Sequence, residues 1–346
     1  MVGVEMQRKH RVSMADIAKE TGVSAATVSR ALNNHPKVSA EVRAAVLQTA
    51  DRLGYIRNLG AASLAASRSM TVGLLLRDMS SQFYGGVAAQ VQMETDAAGY
   101  DLLITIGGDD AESQMNAIRN LLGHDVGGII VASGRIAEEV MEYSARFVPT
   151  VALSSGLDMP SVGSVRIDPK CEADLARRVV VAGHRNVAVT ASSNPLASTL
   201  HARTATFLTE LIVAGAQTLI MSMPVEQGRY LREQVDRALE AKVTAIMAGS
   251  DAIAVSIMEY LQELGLSCPD DISVTGFDGV GALRSPLLGL TTVEQPMERL
   301  ASAAVGMITQ YLTSGGAEEP ISGTVINQLV MGRFVPGRTL GSPKAV

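Results

Sequence analysis

The spacing of apolar residues along the chain changes at about residue 70. Before that point apolar residues recur at intervals of three and four, which is typical of amphipathic helices. Three short helices are predicted there, over 14–21, over 25–32 and from about 40 to Gly54. After Met70, short apolar runs alternate with amphipathic stretches. That alternation is typical of parallel sheets covered by helices on both faces.

The three predicted helices begin and end at residues suited to those positions. Ser13, Ser24 and Ser39 stand where N-caps are needed, and Gly22 and Gly54 stand where the helices stop. Two helices joined by a short turn with glycine have the spacing of a helix-turn-helix. A generic helical hairpin has the same pattern, so both interpretations stay open at this point. The predicted core is Ile17, Val23, Val28, Leu32, Val38, Val42, Val46 and Leu53.

The body of the chain contains at least eight strand-like runs. The predicted strands are 72–76, 102–106, 128–131, 150–153, 187–190, 218–221, 245–248 and 273–275. The predicted helices are 84–98, 112–122, 136–146, 171–182, 201–214, 228–240 and 251–264. A break near Asp168 favours two similar α/β lobes over one continuous sheet. Ligands bind at the carboxyl ends of parallel strands, so two facing lobes predict a cleft between them.

Charge is distributed unevenly along the sequence. The net charge is -6, yet residues 1–68 hold ten Lys and Arg against five acids, a net of +5, and the remainder carries −11. A basic head on an acidic body indicates a polyanion-binding module attached to a domain that does not bind polyanions. Aromatic residues make up only 3% and Trp is absent, which argues against a platform that stacks single-stranded nucleic acid.

Composition and motifs exclude several classes of protein. A length of 346 residues predicts two or three folded units, and two cysteines, Cys171 and Cys268, fit a reducing cytosol. Without a long apolar run or an apolar leader, we expect a cytoplasmic protein that does not associate with membranes. The sequence lacks a GxSxG elbow, a Walker A loop, an HExxH motif and a Cys/His cluster. We therefore expect no catalytic residue, metal or cofactor, and interpret His184 as a structural turn residue.

The N-terminal motif resembles a known family. The run 14–33 (MADIAKETGVSAATVSRALN), then Val38-Ser39, 53–56 (LGYI) and Asn58, is similar to the start of the lactose/galactose repressor (LacI/GalR) family. The resemblance extends from about residue 12 to 338, for example at 269–278 (PDDISVTGFD). It implies an all-α helix-turn-helix head and a periplasmic-binding-protein-like α/β body of two doubly wound parallel-sheet lobes.

The resemblance also implies a division of the chain. A flexible arm (1–11) precedes the DNA-binding domain (12–57), a hinge helix with linker (58–69) and an effector-binding domain (70–340). The N-lobe is expected at about 70–168 and 295–321. The C-lobe is expected at about 169–294 and 322–340, completed by a last strand over 324–330.

In this family the second helix reads the major groove of DNA. Arg30 suits a guanine edge, whereas Ser24, Thr27 and Asn33 suit phosphates. Leu64 matches the leucine that wedges into the minor groove, although Arg57 stands where Pro is usual. The DNA-binding candidates are Ser13, Ser24, Ala25, Ala26, Thr27, Ser29, Arg30, Asn33, Val38, Ser39, Tyr55, Asn58 and Leu64.

The effector site is carried over residue by residue. Arg203 matches the arginine that grips effector hydroxyls or a carboxylate, and Asp278 matches the acidic partner on the opposite wall of the site. Ser154 and Ser250 stand where Asp and Asn are common. Asp251 is expected to be a helix N-cap. The effector-binding candidates are Ser80, Ser81, Phe83, Tyr84, Ser154, Arg203, Met223, Ser250 and Asp278.

Together these features predict a transcriptional regulator, and a repressor in particular. We expect a homodimer on a pseudo-palindromic double-stranded DNA operator, controlled by a sugar or polyol bound between the lobes. The alternative is a cytosolic sugar-binding or sugar-modifying protein whose basic head serves only for oligomerisation. Duplex binding that weakens as salt rises distinguishes the two.

Overall fold

The computed structural model describes residues 12–32, 34–56, 69–223, 228–313 and 326–344, and only the backbone of 228–230. It divides the chain into two compact units, Met1–Arg68 and Ser69–Val346, which we describe one at a time as the head and the body. The predicted arm (1–11) and the linker residues 57–68, including Asn58 and Leu64, lie outside the described residues, as does Asn33.

The head consists of three helices, α1 (Met14–Thr21), α2 (Ala25–Leu32) and α3 (Ala40–Leu53). Helix α1 begins with a capping box, in which the Asp16 N–H donates to Ser13 Oγ (3.4 Å) and the Ser13 N–H donates to the Asp16 carboxylate (2.8 Å). It ends at Gly22, whose φ of 72° is left-handed. The caps predicted at Ser13, Ser24 and Ser39 are confirmed, because each hydroxyl accepts a backbone N–H of the following turn.

A small apolar core holds the three helices of the head together. Ile17, Val28 and Val46 are completely buried, one from each helix. Val38, which the sequence predicted both for this core and for DNA contact, lies in the core at 7% exposure. Tyr55 packs against the same core from the end of the described head.

The body alternates strands and helices throughout. Its strands are β1 (Thr71–Leu76), β2 (Asp101–Ile106), β3 (Gly128–Ala132), β4 (Thr150–Leu153), β5 (Gly163–Ile167), β6 (Asn186–Ser192), β7 (Gln217–Met223), β8 (Ala245–Met247), β9 (Ser273–Thr275), β10 (Thr292–Glu294), β11 (Asn327–Val330) and β12 (Arg333–Val335). Its α-helices are α4 (Gln82–Ala97), α5 (Ala111–Gly123), α6 (Glu138–Ala145), α7 (Lys170–Val181), α8 (Ser198–Val213), α9 (Gly228–Glu240), α10 (Asp251–Glu263) and α11 (Met297–Thr313).

The N-lobe is a six-stranded parallel sheet in the order β11-β5-β4-β3-β1-β2. Its strands supply an almost wholly apolar centre, because both faces are covered by helices. Helices α4 and α11 pack on one face, and α5 and α6 pack on the other. This doubly wound arrangement confirms the predicted fold class for this lobe.

The C-lobe is a four-stranded parallel sheet in the order β7-β6-β8-β9. Helices α9 and α10 cover one face, and α7 and α8 cover the other. Strands β10 and β12 form an antiparallel pair whose Val293 and Phe334 pack into the core of this lobe. The chain therefore passes between the lobes after β5, after β10 and between β11 and β12.

The predicted placement of the last strand is wrong. We expected residues 324–330 to complete the C-lobe, but β11 pairs in parallel with β5 at the edge of the N-lobe sheet. The physical reason is that the backbone of Leu329 and Val330 pairs with that of Arg166 and Ile167. This pairing buries the Val330 side chain in the N-lobe core. The C-lobe instead receives the shorter strand β12. In the part of the chain that is described, no helix is long and apolar enough to cross a membrane.

Candidate functional site

A cavity of about 520 Å³ lies between the lobes of the body, at the carboxyl ends of both sheets. The N-lobe lines it with residues that follow β1, β3 and β4, and the C-lobe with residues of α8, α10 and the loop after β9. Eight of the nine predicted effector residues lie here, namely Ser80, Ser81, Phe83, Tyr84, Ser154, Arg203, Ser250 and Asp278. The structure does not place Met223 here. It is buried and lines a much smaller cavity that shares Arg135, Leu200 and Ile253 with the large one.

Arg203 is the central cation of this cleft. It projects from α8 and is only 4% exposed, with its guanidinium carbon 3.7 Å from the centre of the Phe277 ring. Its Nη1 donates a hydrogen bond to the carbonyl oxygen of Gly249 at 2.5 Å. The same Nη1 lies 4.0 Å from Asp278 Oδ1, which is ion-pair rather than hydrogen-bond distance.

Asp278 stands on the loop after β9 and has an unusual environment. Its backbone is held at a φ of 129°, and its Oδ1 accepts a hydrogen bond from Gln295 Nε2 at 2.7 Å. Burial raises the pKa of Asp278 to about 7, while Arg203 opposes the rise and the nearby Asp251 adds to it. A carboxyl group with this pKa changes its charge near neutral pH, and it lies where a ligand would meet Arg203.

Glu172 is a second carboxylate beside Arg203, and the sequence analysis did not identify it. It comes from the first turn of α7, just after the chain leaves the N-lobe, and its Oε1 lies 3.6 Å from Arg203 Nε. Its side chain is 8% exposed, and its Oε2 has no hydrogen-bond partner among the described residues. Burial raises the pKa of Glu172, and the charge of Arg203 opposes that rise.

Ser154 presents an unpaired hydroxyl at the end of β4. It is 6% exposed and has a left-handed φ of 56°, and the Thr199 hydroxyl donates to its carbonyl oxygen at 2.8 Å. Its own Oγ is buried without a hydrogen-bond partner in the described part of the chain. A buried polar atom of this kind is suited to pairing with a ligand or a water.

The start of α10 differs from the prediction. Ser250, not Asp251, is the N-cap, since its Oγ accepts the N–H of Ile253 at 3.3 Å. Asp251 is the first helical residue and is completely buried. Its two oxygens accept the Gly279 N–H (2.7 Å) and the Thr292 hydroxyl (2.5 Å). The Asp251 side chain therefore fixes the loop that carries Asp278 and does not cap the start of α10.

Two further arginines line the cleft, and the sequence analysis missed both. Arg77 directly follows β1, pairs with Asp78 at 2.9 Å and stacks 4.8 Å from the Tyr84 ring centre. Arg135 follows β3 and pairs with Asp109 at 3.1 Å. Both stand just beyond the carboxyl end of a predicted strand, which was the signal available in the sequence.

The loop after β1 is held in place by hydrogen bonds and packing. Asp78 accepts from the Ser80 hydroxyl (2.8 Å) and from the Ser81 N–H (2.7 Å), which shapes the entry into α4. Tyr84 is buried against Phe83, and its hydroxyl accepts the Gly134 N–H at 2.9 Å. These contacts fix one wall of the cleft.

His184 and the acidic side chains form no metal site in the described ranges. No group of three or more His, Cys, Asp or Glu side chains there is arranged to hold a metal ion. His184 is buried away from the cleft, with its ring nitrogens 2.9 Å from Thr244 Oγ1 and 2.9 Å from the Gly341 carbonyl oxygen. This is the structural role that the sequence predicted for it.

The head exposes a coherent face along α2. Ala25, Ala26 and Arg30 are exposed, and Thr27 and Ser29 are half-buried beside them. Small side chains on this face let the helix backbone approach a partner closely, and Arg30 extends from its last turn. Ser13, Ser24 and Ser39 cap the three helices at positions that leave them accessible to solvent. This face has the shape of a major-groove reading helix.

Comparison with known proteins assigns both units. Residues 13–58 match the family model for bacterial regulatory proteins of the lacI family, and 176–338 match the periplasmic binding protein-like domain. Catabolite control protein A of Priestia megaterium is 31% identical over 320 residues, covering 90% of this chain and 95% of that protein. The HTH-type transcriptional regulator RegA of Clostridium saccharobutylicum is 28% identical over 315 residues, covering 89% and 95%.

Solved structures have the same fold. A lac repressor dimer bound to operator and the anti-inducer ONPF superposes with a TM-score of 0.79 at 24% identity, covering 96% of this chain and 100% of that one. A complex of the transcriptional regulator CelR with cellobiose gives 0.66 at 22% identity, covering 95% and 100%. A regulator from Enterococcus faecium with bound ribose gives 0.65 at 18% identity, covering 80% and 100%.

Proposed function

The chain belongs to the LacI family of bacterial regulatory proteins, and from this membership we infer how its two units work. It is a transcriptional regulator with a helix-turn-helix head and a periplasmic-binding-protein-like body. The alternative of a sugar-binding protein with a purely oligomerising head is not supported, because the head itself matches the family's regulatory motif. Our proposal concerns what each unit binds, and it includes no catalytic step.

The head binds double-stranded DNA through α2. Arg30 is the residue that reads a base edge, and Ser24 and Thr27 contact phosphates on either side of it. The observation that carries this assignment is the exposed, small-residue face of α2 on a head whose residues 1–68 are net basic. Leu64, Asn58 and Asn33 keep their proposed DNA contacts from the family resemblance alone, as they lie outside the described residues.

The body forms a homodimer and so places two heads on a pseudo-palindromic operator. The free edge strands of the two sheets support this, because β2 exposes Ile104 and Ile106, and β7 exposes Ile220. Two further exposed apolar residues, Ile212 and Val213, end α8 in the C-lobe. Exposed apolar strand edges are normally covered by a partner. A cytoplasmic location follows from the DNA partner.

The cleft binds a hydroxyl-bearing metabolite such as a sugar or polyol. Vicinal hydroxyls both donate and accept, and the cleft offers Arg203 as donor, Asp278 as acceptor and the Ser154 hydroxyl as either. The relatives crystallised with cellobiose and with ribose are consistent with that chemistry. Ligand binding there changes the orientation of the two lobes. By linkage, the ligand changes the affinity for DNA by the same factor as DNA changes the affinity for the ligand.

DNA binding is tested by selection from a random-sequence duplex pool, followed by titration of the selected duplex at increasing salt. We expect an enriched pseudo-palindrome and an affinity that falls steeply with salt. Arg30→Ala should lose sequence preference, whereas Arg146→Ala, which removes an exposed arginine of the body, should not. Binding without any enriched sequence, or without salt dependence, would rule out the proposal.

The effector is sought by a thermal-shift screen of sugars, polyols and phosphorylated sugars. A compound that binds only the folded state raises the melting temperature, and the rise grows with the ratio of its concentration to its Kd. The Asp278→Asn variant is the control, because it preserves shape but removes the acceptor charge from the cleft. A compound that stabilises both proteins equally binds elsewhere.

A further inference from the structure

The charges of the cleft are balanced in an unusual way. Among the described residues lining the cleft the cations are three arginines, and each has an acidic partner. Arg77 pairs with Asp78 at 2.9 Å and Arg135 with Asp109 at 3.1 Å. Each of these two arginines therefore carries its own counter-charge before any ligand arrives.

Arg203 has two acidic partners rather than one. Glu172 Oε1 lies 3.6 Å from its Nε, and Asp278 Oδ1 lies 4.0 Å from its Nη1. Neither carboxylate is at hydrogen-bonding distance, and Arg203 Nε is buried without a hydrogen-bond partner in the described structure. When both acids are ionised, the group around Arg203 carries one negative charge more than it carries positive charge.

This excess determines which ligands can approach Arg203. An anionic group that binds the guanidinium comes within a few ångströms of Glu172 and Asp278, in a buried site where charges interact strongly. An uncharged hydroxyl has no such penalty, because it donates to a carboxylate while it accepts from the arginine. Of the two acids, Glu172 has no assigned contact with a ligand, and it acts through Arg203.

We propose that Glu172 is a specificity-determining positioning residue: it neutralises Arg203 through the Nε edge, so that the cleft accepts uncharged hydroxyl-bearing effectors and rejects phosphorylated or carboxylated ones. This inference rests on the proposed effector site between the lobes. Glu172 lies four positions beyond Asp168, where the chain first leaves the N-lobe, so it also ties Arg203 to that crossing segment.

The test uses inorganic phosphate as a probe on the full-length protein at pH 8 and constant ionic strength. Because burial raises the pKa of Glu172, the pH is set above neutrality to favour its carboxylate form. The NMR signal of the Arg203 Nε–H group, assigned with an Arg203→Lys variant, reports binding at this site. We expect phosphate to bind Glu172→Gln with an apparent Kd at least about tenfold lower than the wild type.

Two control variants distinguish this role from a general loss of acidity. Glu259→Gln removes an exposed acid that lines the cleft itself, and this variant should bind phosphate as the wild type does. Glu172→Asp keeps the charge and should also reject phosphate. If Glu172→Gln does not fold, Glu172→Met provides the uncharged variant, with circular dichroism as the check on folding.

The proposal is overturned if phosphate shifts the Arg203 signal equally in wild type and Glu172→Gln, or in neither of them. It is also overturned if Glu259→Gln gains as much affinity as Glu172→Gln. None of these results depends on the identity of the effector or on DNA. A failure here therefore removes the role of Glu172 and leaves the regulatory function to its own tests.

Discussion

The Asp278→Asn substitution measures how much stability the cleft loses by burying a carboxylate. The pKa of Asp278 rises from its ordinary 3.8 to about 7, mainly through burial, and its side chain is only 17% exposed. Between pH 3.8 and about pH 7, Asp278 is protonated in the folded protein and ionised in the unfolded chain. Stability therefore falls as pH rises through this window, and the loss is complete above pH 7.

The magnitude follows from the size of the shift. About three pH units at roughly 1.4 kcal/mol each give an upper limit of about 4 kcal/mol for the loss above pH 7. Asn keeps an oxygen that can accept the hydrogen bond from Gln295 Nε2, and it has no charge to bury. We expect the free energy of unfolding of the variant, relative to that of the wild type, to increase by about 2–3 kcal/mol from pH 5 to pH 8.

Urea unfolding followed by circular dichroism at both pH values measures the difference between variant and wild type. Glu259→Gln is the control for the loss of one acidic side chain from the same cavity. A difference that stays constant between pH 5 and pH 8 would show that Asp278 is ionised normally in the folded protein. A wild type that becomes the more stable protein at pH 8 would show that its pair with Arg203 outweighs burial.

Three other substitutions test separate parts of the structure. Ser13→Ala removes the capping box of α1 and should lower the stability of the head by about 1 kcal/mol in thermal unfolding. Gly279→Ala should destabilise the body by more than about 2 kcal/mol in urea, because φ is 62° and a Cβ would collide with the Glu294 backbone. Gly306→Ala, in open space on α11, is its control and should stabilise slightly. Arg30→Ala should relax operator preference by about 1–3 kcal/mol in competition binding, and equal discrimination by both proteins would refute its role.

The sequence predicted the strands that have apolar runs and missed β5, β10 and β12, which lack them. Strand β1 contains four apolar residues beside one Thr and one Gly, whereas β5 (Gly163–Ile167) contains Gly, Ser and Arg. Only its neighbours β4 and β11 make it a strand. The lobe to which β11 belongs depends on long-range pairing with β5, and periodicity carries no information about that partner.

The candidate site was predictable where the family motif or strand position marks a residue. Arg203 and Asp278 came from the resemblance, and Arg77 and Arg135 were detectable from their place after strands. Glu172 was not, because an acid in the first turn of a helix is ordinarily exposed and favourable there. Its burial depends on α8 packing against α7, which brings Arg203 to it.

The path of the last strands determines when the body can fold. The N-lobe is completed by β11 and the C-lobe receives β12, so both lobes need residues beyond 326. A ribosome making this chain releases a finished head early, since residues 12–56 contain their own core. Both lobes of the nascent body stay incomplete until β11 and β12 have been made, which leaves β5 as an uncovered edge from its own synthesis until that of β11.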